Sequence, residues 1–230
     1  PFNEALFTAT SAVCVTGLVV QDTGSYWSGF GQTVILLLIQ IGGMGVVTIT
    51  IAVAMVSGKK IGLMQRSLMQ ESISAPQVGG IVRFTGFFLK GIALIELLGA
   101  ILLAPVFIKD FGVGKGIWYG VFHSISAFCN AGFDLLGVRT PFSSLTSYAA
   151  NPVINFTIMF LIVFGGIGFL TWDDIRTNRL HLRKYRMQSK VILCTTAVLL
   201  IAPAMYFYFF EFADLTQKER LLSSLFQAVT

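Results

Sequence analysis

Charge is what this sequence most lacks: Asp, Glu, Lys and Arg together make up only 12% of its 230 residues. Soluble domains carry about 25%, so a surface wetted on all sides is excluded. Histidine is nearly absent, with two residues, and the three cysteines are an odd number without metal-ligand spacing. These shortages leave no disulfide framework and no zinc-type cluster. They also leave too few acids, histidines and nucleophiles in the apolar regions to build a membrane enzyme. The chain opens on Pro1-Phe2, with neither a methionine nor a basic stretch, so no signal peptide is visible. What is abundant is apolar: 55% of the residues are hydrophobic and the mean hydropathy is +0.78. Such values belong in a lipid bilayer. The net charge of +5 comes without a basic stripe interleaved with aromatics, so no nucleic acid partner is expected.

The apolar residues are organised by an internal duplication. LFTATSAVCVTGL, Leu6 to Leu18, aligns without a gap on VFHSISAFCNAGF, Val121 to Phe133, pairing Ser11 with Ser126, Cys14 with Cys129 and Gly17 with Gly132. IGGMG at Ile41–Gly45 is echoed by FGGIG at Phe164–Gly168, and the closing LFQAVT resembles the opening of a third copy. The repeat is therefore the structural unit, and the chain is expected to start and stop inside a longer protein.

Lengths decide what each piece is. Asn3–Val13 and Ile117–Cys129 are far shorter than the roughly 20 residues a spanning helix needs. They are expected to be re-entrant half-helices, each followed by an extended segment. Irregular backbone at membrane depth survives only where protein surrounds it or water reaches it. Spanning segments are expected from Trp27 to Ser57, from Ile81 to Phe107 with Pro105 ending it, from Pro152 to Trp172 and from Val191 to Phe210. Asn151-Pro152 reads as a helix cap and first residue. Lys59–Val78 is expected to lie on the interface or to dock a cytosolic partner.

The resulting fold class is an all-α integral membrane protein of tandem membrane-pore-membrane repeats, with re-entrant half-helices and extended selectivity-filter segments, potassium-channel-like. Its divisions are repeat one at 1–57, a cytoplasmic linker at 58–80, repeat two at 81–172, a basic linker at 173–190 and the start of repeat three at 191–230. Basic residues crowd two loops, Lys59, Lys60 and Arg66 in one and Arg176, Arg179, Arg183, Lys184, Arg186 and Lys190 in the other. Two crossings separate these loops, so both are cytoplasmic and the half-helices enter from outside. Trp27, Trp118 and Trp172 fall at expected membrane boundaries as an interfacial belt.

A half-helix entering from outside points the negative end of its dipole at the membrane centre. An extended glycine-bearing segment after it can offer backbone carbonyls to a dehydrated cation. That combination describes a cation pore. Gly42, Gly43, Gly45, Gly165, Gly166 and Gly168 serve either close helix packing or a hinge and cavity lining near it. Glu96, about fifteen residues into its span, sits where ionisable groups are costly. It either anchors a neighbouring helix or faces the ion path. His123 stands alone, and a metal site is not expected there. Asp134 either draws cations to the outer mouth or caps the next turn. An ion-coupled secondary transporter with broken helices is the alternative, although its repeats often run inverted and these run parallel.

SAVCVTGL and SAFCNAGF, each followed by a GGxG-bearing helix, resemble the Trk/Ktr/HKT superfamily of potassium transporters, and most of all the bacterial Ktr membrane subunit. The resemblance implies a filter of Cys14, Val15, Thr16 and Gly17 in repeat one and Cys129, Asn130, Ala131 and Gly132 in repeat two. Their backbone carbonyls would hold K+, with Gly17 favouring K+ over Na+, although Na+ involvement stays open. It further implies no bound cofactor, a homodimer, a gating ring of cytosolic nucleotide-binding subunits, and residence in the bacterial inner membrane.

Overall fold

The computed structural model describes residues 2–45, 81–179 and 181–230 together with Ile49 and Val53; the side chains of residues 81–85 are not described. All regular structure among them is helical: α1 (Phe2–Val13), α2 (Thr23–Tyr26), α3 (Gly29–Met44), α4 (Ile81–Phe111), α5 (Val113–Phe128), α6 (Pro152–Gly166), α7 (Phe169–Asn178), α8 (Met187–Tyr206) and α9 (Gln217–Val229). The Lys59–Val78 segment and the far end of the Trp27–Ser57 span lie outside the described residues.

Among the described residues two helices are long and apolar enough to cross a membrane, Gly86–Phe111 and Met187–Glu211, the latter running through a π-turn at Phe207–Glu211. The helices that carry the duplicated motif are short, 12 residues for α1 and 16 for α5. At about 1.5 Å per residue neither reaches across an apolar layer about 30 Å thick. Large apolar side chains stand exposed along α4 (Leu94, Leu98, Ile101), α6 (Phe156, Phe160) and α8 (Leu199, Ile201, Met205), a surface that water would not tolerate at this extent.

Several boundaries differ from the sequence expectation. Pro105 does not end its helix: α4 continues through it to Phe111, because tight packing against α5 outweighs one lost backbone hydrogen bond. Only Gly112, at φ 81°, then separates α4 from α5, so the stretch between the expected segments Ile81–Phe107 and Ile117–Cys129 is mostly helix. The Pro152–Trp172 span is broken: α6 stops at Gly166, and α7 leaves at 99° to it through Gly168, φ 81°. Trp172 is accordingly no interfacial residue. It is 8% exposed among Phe88, Phe128, Phe164 and Phe169, and its Nε1 donates to Phe164 O at 3.0 Å.

Asn151 does cap α6, its Oδ1 accepting from the N–H groups of Val153 and Ile154. α5 lies against α4 through small residues: a Cβ on Gly116 would strike the Ile108 backbone at 2.5 Å, and one on Gly120 would meet Ala100 O and Ala104 at 3.0 and 3.1 Å. Between repeats, α3 packs on α5 and α6 packs on α9. Each glycine-bearing helix thus packs on a later short helix.

Candidate functional site

The two motif helices, α1 and α5, end in the same way. After α1, Val15 N–H donates to Ala12 O and Thr16 N–H to Ser11 O; after α5, Asn130 N–H donates to Ala127 O and Ala131 N–H to Ser126 O. Each is a Schellman cap, which turns the chain sharply through one left-handed residue. Those residues are Val15 (φ 55°) and Asn130 (φ 56°), and two positions later Gly17 (φ 74°) and Gly132 (φ 72°) take positive φ again. Asparagine suits such a position, whereas a β-branched residue there is strained. Strain of that kind collects where the surroundings force a backbone shape for function.

These two loops meet. A Cβ added to Gly17 would lie 2.7 Å from Ala131 O and 3.3 Å from the Gly132 Cα; one added to Gly132 would lie 3.4 Å from the Gly17 Cα. Positions 115 apart in sequence are therefore in backbone contact, leaving no room for side chains between them. The chain also doubles back after each loop. Gln21 Nε2 and Tyr26 Oη donate to Glu4 at the start of α1 (3.3 and 2.9 Å). Arg139 (3.2 Å) and Tyr148 likewise reach Asp110 beside the start of α5.

The paired glycines divide into two uses. Gly42 and Gly165 touch the last residue of a half-helix: their added Cβ atoms would fall 2.0 Å from Val13 O and 1.8 Å from Phe128 O. A Cβ on Gly43 would lie 2.5 Å from Cys129 Sγ, so the first glycine cluster also packs on the second loop, while one on Gly166 would lie 3.4 Å from the Asn130 amide. Gly45 (φ 79°) and Gly168 (φ 81°) have open space instead, and there it is the backbone conformation that calls for glycine.

Side chains hold the loops from behind. Ser11 Oγ and Thr16 Oγ1 share a hydrogen bond of 2.7 Å, and the equivalent Ser126 Oγ donates to Phe133 O at 2.6 Å. His123, fully enclosed, has Nδ1 2.7 Å from Tyr119 O and receives Leu135 N–H on Nε2 at 3.4 Å. It is a strut for the second loop, and no group of three metal-binding side chains occurs among the described residues. Asp134 caps the next turn through Leu136 N–H at 2.9 Å. Glu96 accepts from Gln40 Nε2 at 3.0 Å, and its backbone carbonyl accepts from Ser124 Oγ at 2.6 Å.

A model of the TrkH family, described as cation transport protein, matches residues 1–230. The chain belongs to the TrkH family. It is 40% identical over 234 residues to the potassium/sodium uptake protein NtpJ of Enterococcus hirae, covering 100% of this chain and 51% of that protein. It is 39% identical over 233 residues to the Ktr system potassium uptake protein B of Bacillus subtilis (99% and 51%) and 32% identical over 235 residues to that of Vibrio alginolyticus (99% and 50%). The chain thus spans about half the length of the curated relatives it matches.

Several residues that shape this TrkH-family site escaped the sequence reading. Ser11 and Ser126 were visible as a matched pair in the duplication, yet nothing in their spacing said that both brace the loop. Asp22 carried no signal at all. It is 6% exposed, accepts from Ser25 N–H and Oγ (2.8 and 2.7 Å), and reaches across to Phe142 N–H at 3.1 Å, clasping the loop after α1 to the loop after α5. Gly137 lies so close that a Cβ there would be 1.8 Å from the Asp22 carboxylate. On the basic side, Arg186 is held by Asp173 (2.9 Å) and Asp174 (3.8 Å), leaving Arg183 and Lys184 exposed.

Proposed function

We propose that this chain forms part of the pore of a membrane potassium-uptake protein. The loops Cys14–Gly17 and Cys129–Gly132 act as two of its filter segments, holding K+ by backbone carbonyls, and α1 and α5 act as half-helices re-entering from the outer face. The observation that carries this reading is the backbone contact between Gly17 and Gly132, each two residues past a left-handed helix cap. A purely structural duplication has no need to bring two bare backbone turns together at the ends of two short helices. Half-helix dipoles converging there favour a cation. The repeat divisions at 1–57, 81–172 and 191–230 follow from the same reading, as does a homodimer in the bacterial inner membrane.

Gating by a cytosolic nucleotide-binding ring is part of this proposal, with Arg183 and Lys184 as its contact residues. Arg186 is better left out of that set, since its guanidinium is engaged by Asp173 and Asp174. Alanine at Arg183 and Lys184 should weaken co-purification of the ring.

The deciding experiment is rubidium uptake into liposomes holding the full-length protein, with potassium or sodium as competitor. Potassium alone should compete, and Gly17→Ser or Gly132→Ser should narrow the difference between the ions. A serine at Gly17 must adopt φ 74° with its Cβ 2.7 Å from Ala131 O, so it displaces the carbonyls themselves. Unaltered discrimination in both variants would refute the filter assignment. The name of the Enterococcus hirae relative, a potassium/sodium uptake protein, supports a second reading in which sodium is also carried. In that case sodium competes in the unmodified protein.

A further inference from the structure

We propose that Glu96 carries its proton and closes a two-bond acid–amide ring with Gln40, and that this neutral clasp positions the second filter loop against the first repeat. Gln40 Nε2 donates to Glu96 Oε1 at 3.0 Å, while Gln40 Oε1, on the same amide, is buried without a partner. An ionised carboxylate only accepts, so it cannot serve that oxygen. A protonated one can: its O–H donates to Gln40 Oε1 while its carbonyl oxygen keeps the Nε2 bond. The orphaned amide oxygen thus marks a missing donor, and the acid beside it is the group able to supply one.

Among the described residues the surroundings supply no countercharge. α3 and α6 contain no titratable side chain. On α5, His123 is occupied by Tyr119 O and Leu135 N–H, and just past its end Cys129 offers a thiol. On α4 itself Lys90 is exposed, six residues away. No ion pair reaches Glu96 among the described residues. A carboxylate at this depth without a cation is costly, and the acid form avoids that cost.

The clasp sits where three helices join. Gln40 and Gly43, one turn apart on α3, meet α4 at Glu96 and the end of α5 at Cys129. Ser124, five residues before Cys129, donates to the Glu96 backbone carbonyl at 2.6 Å. Glu96 touches no expected ion position and works through these neighbours. Its consequence for transport rests on the pore reading above; its protonation does not.

Infrared difference spectra of the full-length protein in lipid, unmodified minus Glu96→Gln at neutral pH, decide the matter. A protonated-carboxyl C=O band present in the unmodified protein and missing from Glu96→Gln is expected, and Gln40→Leu should move that band to higher frequency. A difference confined to carboxylate bands would overturn the proposal. Rubidium uptake gives the second readout. The unmodified rate should fall as pH rises through the titration of that band, while Glu96→Gln, which keeps both hydrogen bonds without a titrating group, should stay flat whatever its absolute rate. Identical pH profiles would overturn the positioning role. If uptake proves insensitive to potassium, the pore reading fails while the infrared band still decides the pairing.

Discussion

Gly165→Ala tests one of the tightest contacts among the described residues. The new Cβ would lie 1.8 Å from Phe128 O, whereas a carbon and a carbonyl oxygen settle at about 3.3–3.6 Å. α6 and the end of α5 must therefore part by about 1.5 Å, and neither can yield by turning a side chain, since the atom struck is backbone. Overpacking of this kind costs about 1–3 kcal/mol, and alanine returns up to about 1 kcal/mol of helix propensity. The net loss should be about 1 kcal/mol. Gly166→Ala, one residue on, is the control. Its Cβ has the Asn130 amide at 3.4 Å as its nearest neighbour, an ordinary contact, so it should gain up to about 1 kcal/mol. Both variants gain the same propensity, so they should differ by the overpacking cost, about 2 kcal/mol, with Gly165→Ala melting lower. Tryptophan fluorescence of the full-length protein in detergent reads this directly, because Trp172 lies between Phe128 and Phe164. Coincident midpoints for the two variants would refute the packing argument, and Gly42→Ala, with Val13 O at 2.0 Å, should repeat the loss in the first unit.

Three further outcomes follow from the same geometry. Val15→Asn should stabilise the fold by up to about 1 kcal/mol in the same melting assay, because Val15 sits at φ 55° and left-handed backbone costs an ordinary L-residue about 1–2 kcal/mol; a lower midpoint would show that its side-chain packing outweighs the strain. Asp22→Ala should lose about 1.5–3 kcal/mol, the range for hydrogen bonds to a charged group, and should raise hydrogen exchange at Phe142, whose N–H it holds; unchanged exchange there would remove the clasp. Burial and the Asp110 carboxylate that accepts its hydroxyl push the Tyr148 pKa above the ordinary tyrosine value. Its contribution is therefore full below that ordinary value and lost as pH rises through the raised one. Alkaline unfolding should move in Tyr148→Phe, and identical alkaline profiles would refute the link.

Much of this was legible in the chain because membrane length and repetition are one-dimensional signals. A helix of 12 residues cannot span a bilayer whatever it packs against, so α1 was readable as too short to cross, and the duplication made α5 its counterpart. Asn151-Pro152 was a local cap and formed as read. Pro105 was misleading for the converse reason: its cost is local, but small-residue packing of α5 on α4, invisible in sequence, outweighs it. Trp172 looked interfacial by position and became core, because the bend at Gly168 turns α7 back among the aromatic rings.

What the sequence alone determined is the set of units: their lengths, their order, their apolar faces and the glycines placed at matching positions, all of which depend on residues near one another in the chain. Only the tertiary structure decided that Gly17 meets Gly132, that Gly42 and Gly165 serve packing while Gly45 and Gly168 serve the backbone turn, and that Glu96 faces an unsatisfied amide on Gln40. Each of these depends on contact between segments tens of residues apart, where a fraction of an ångström separates close packing from collision and no local pattern records the distance.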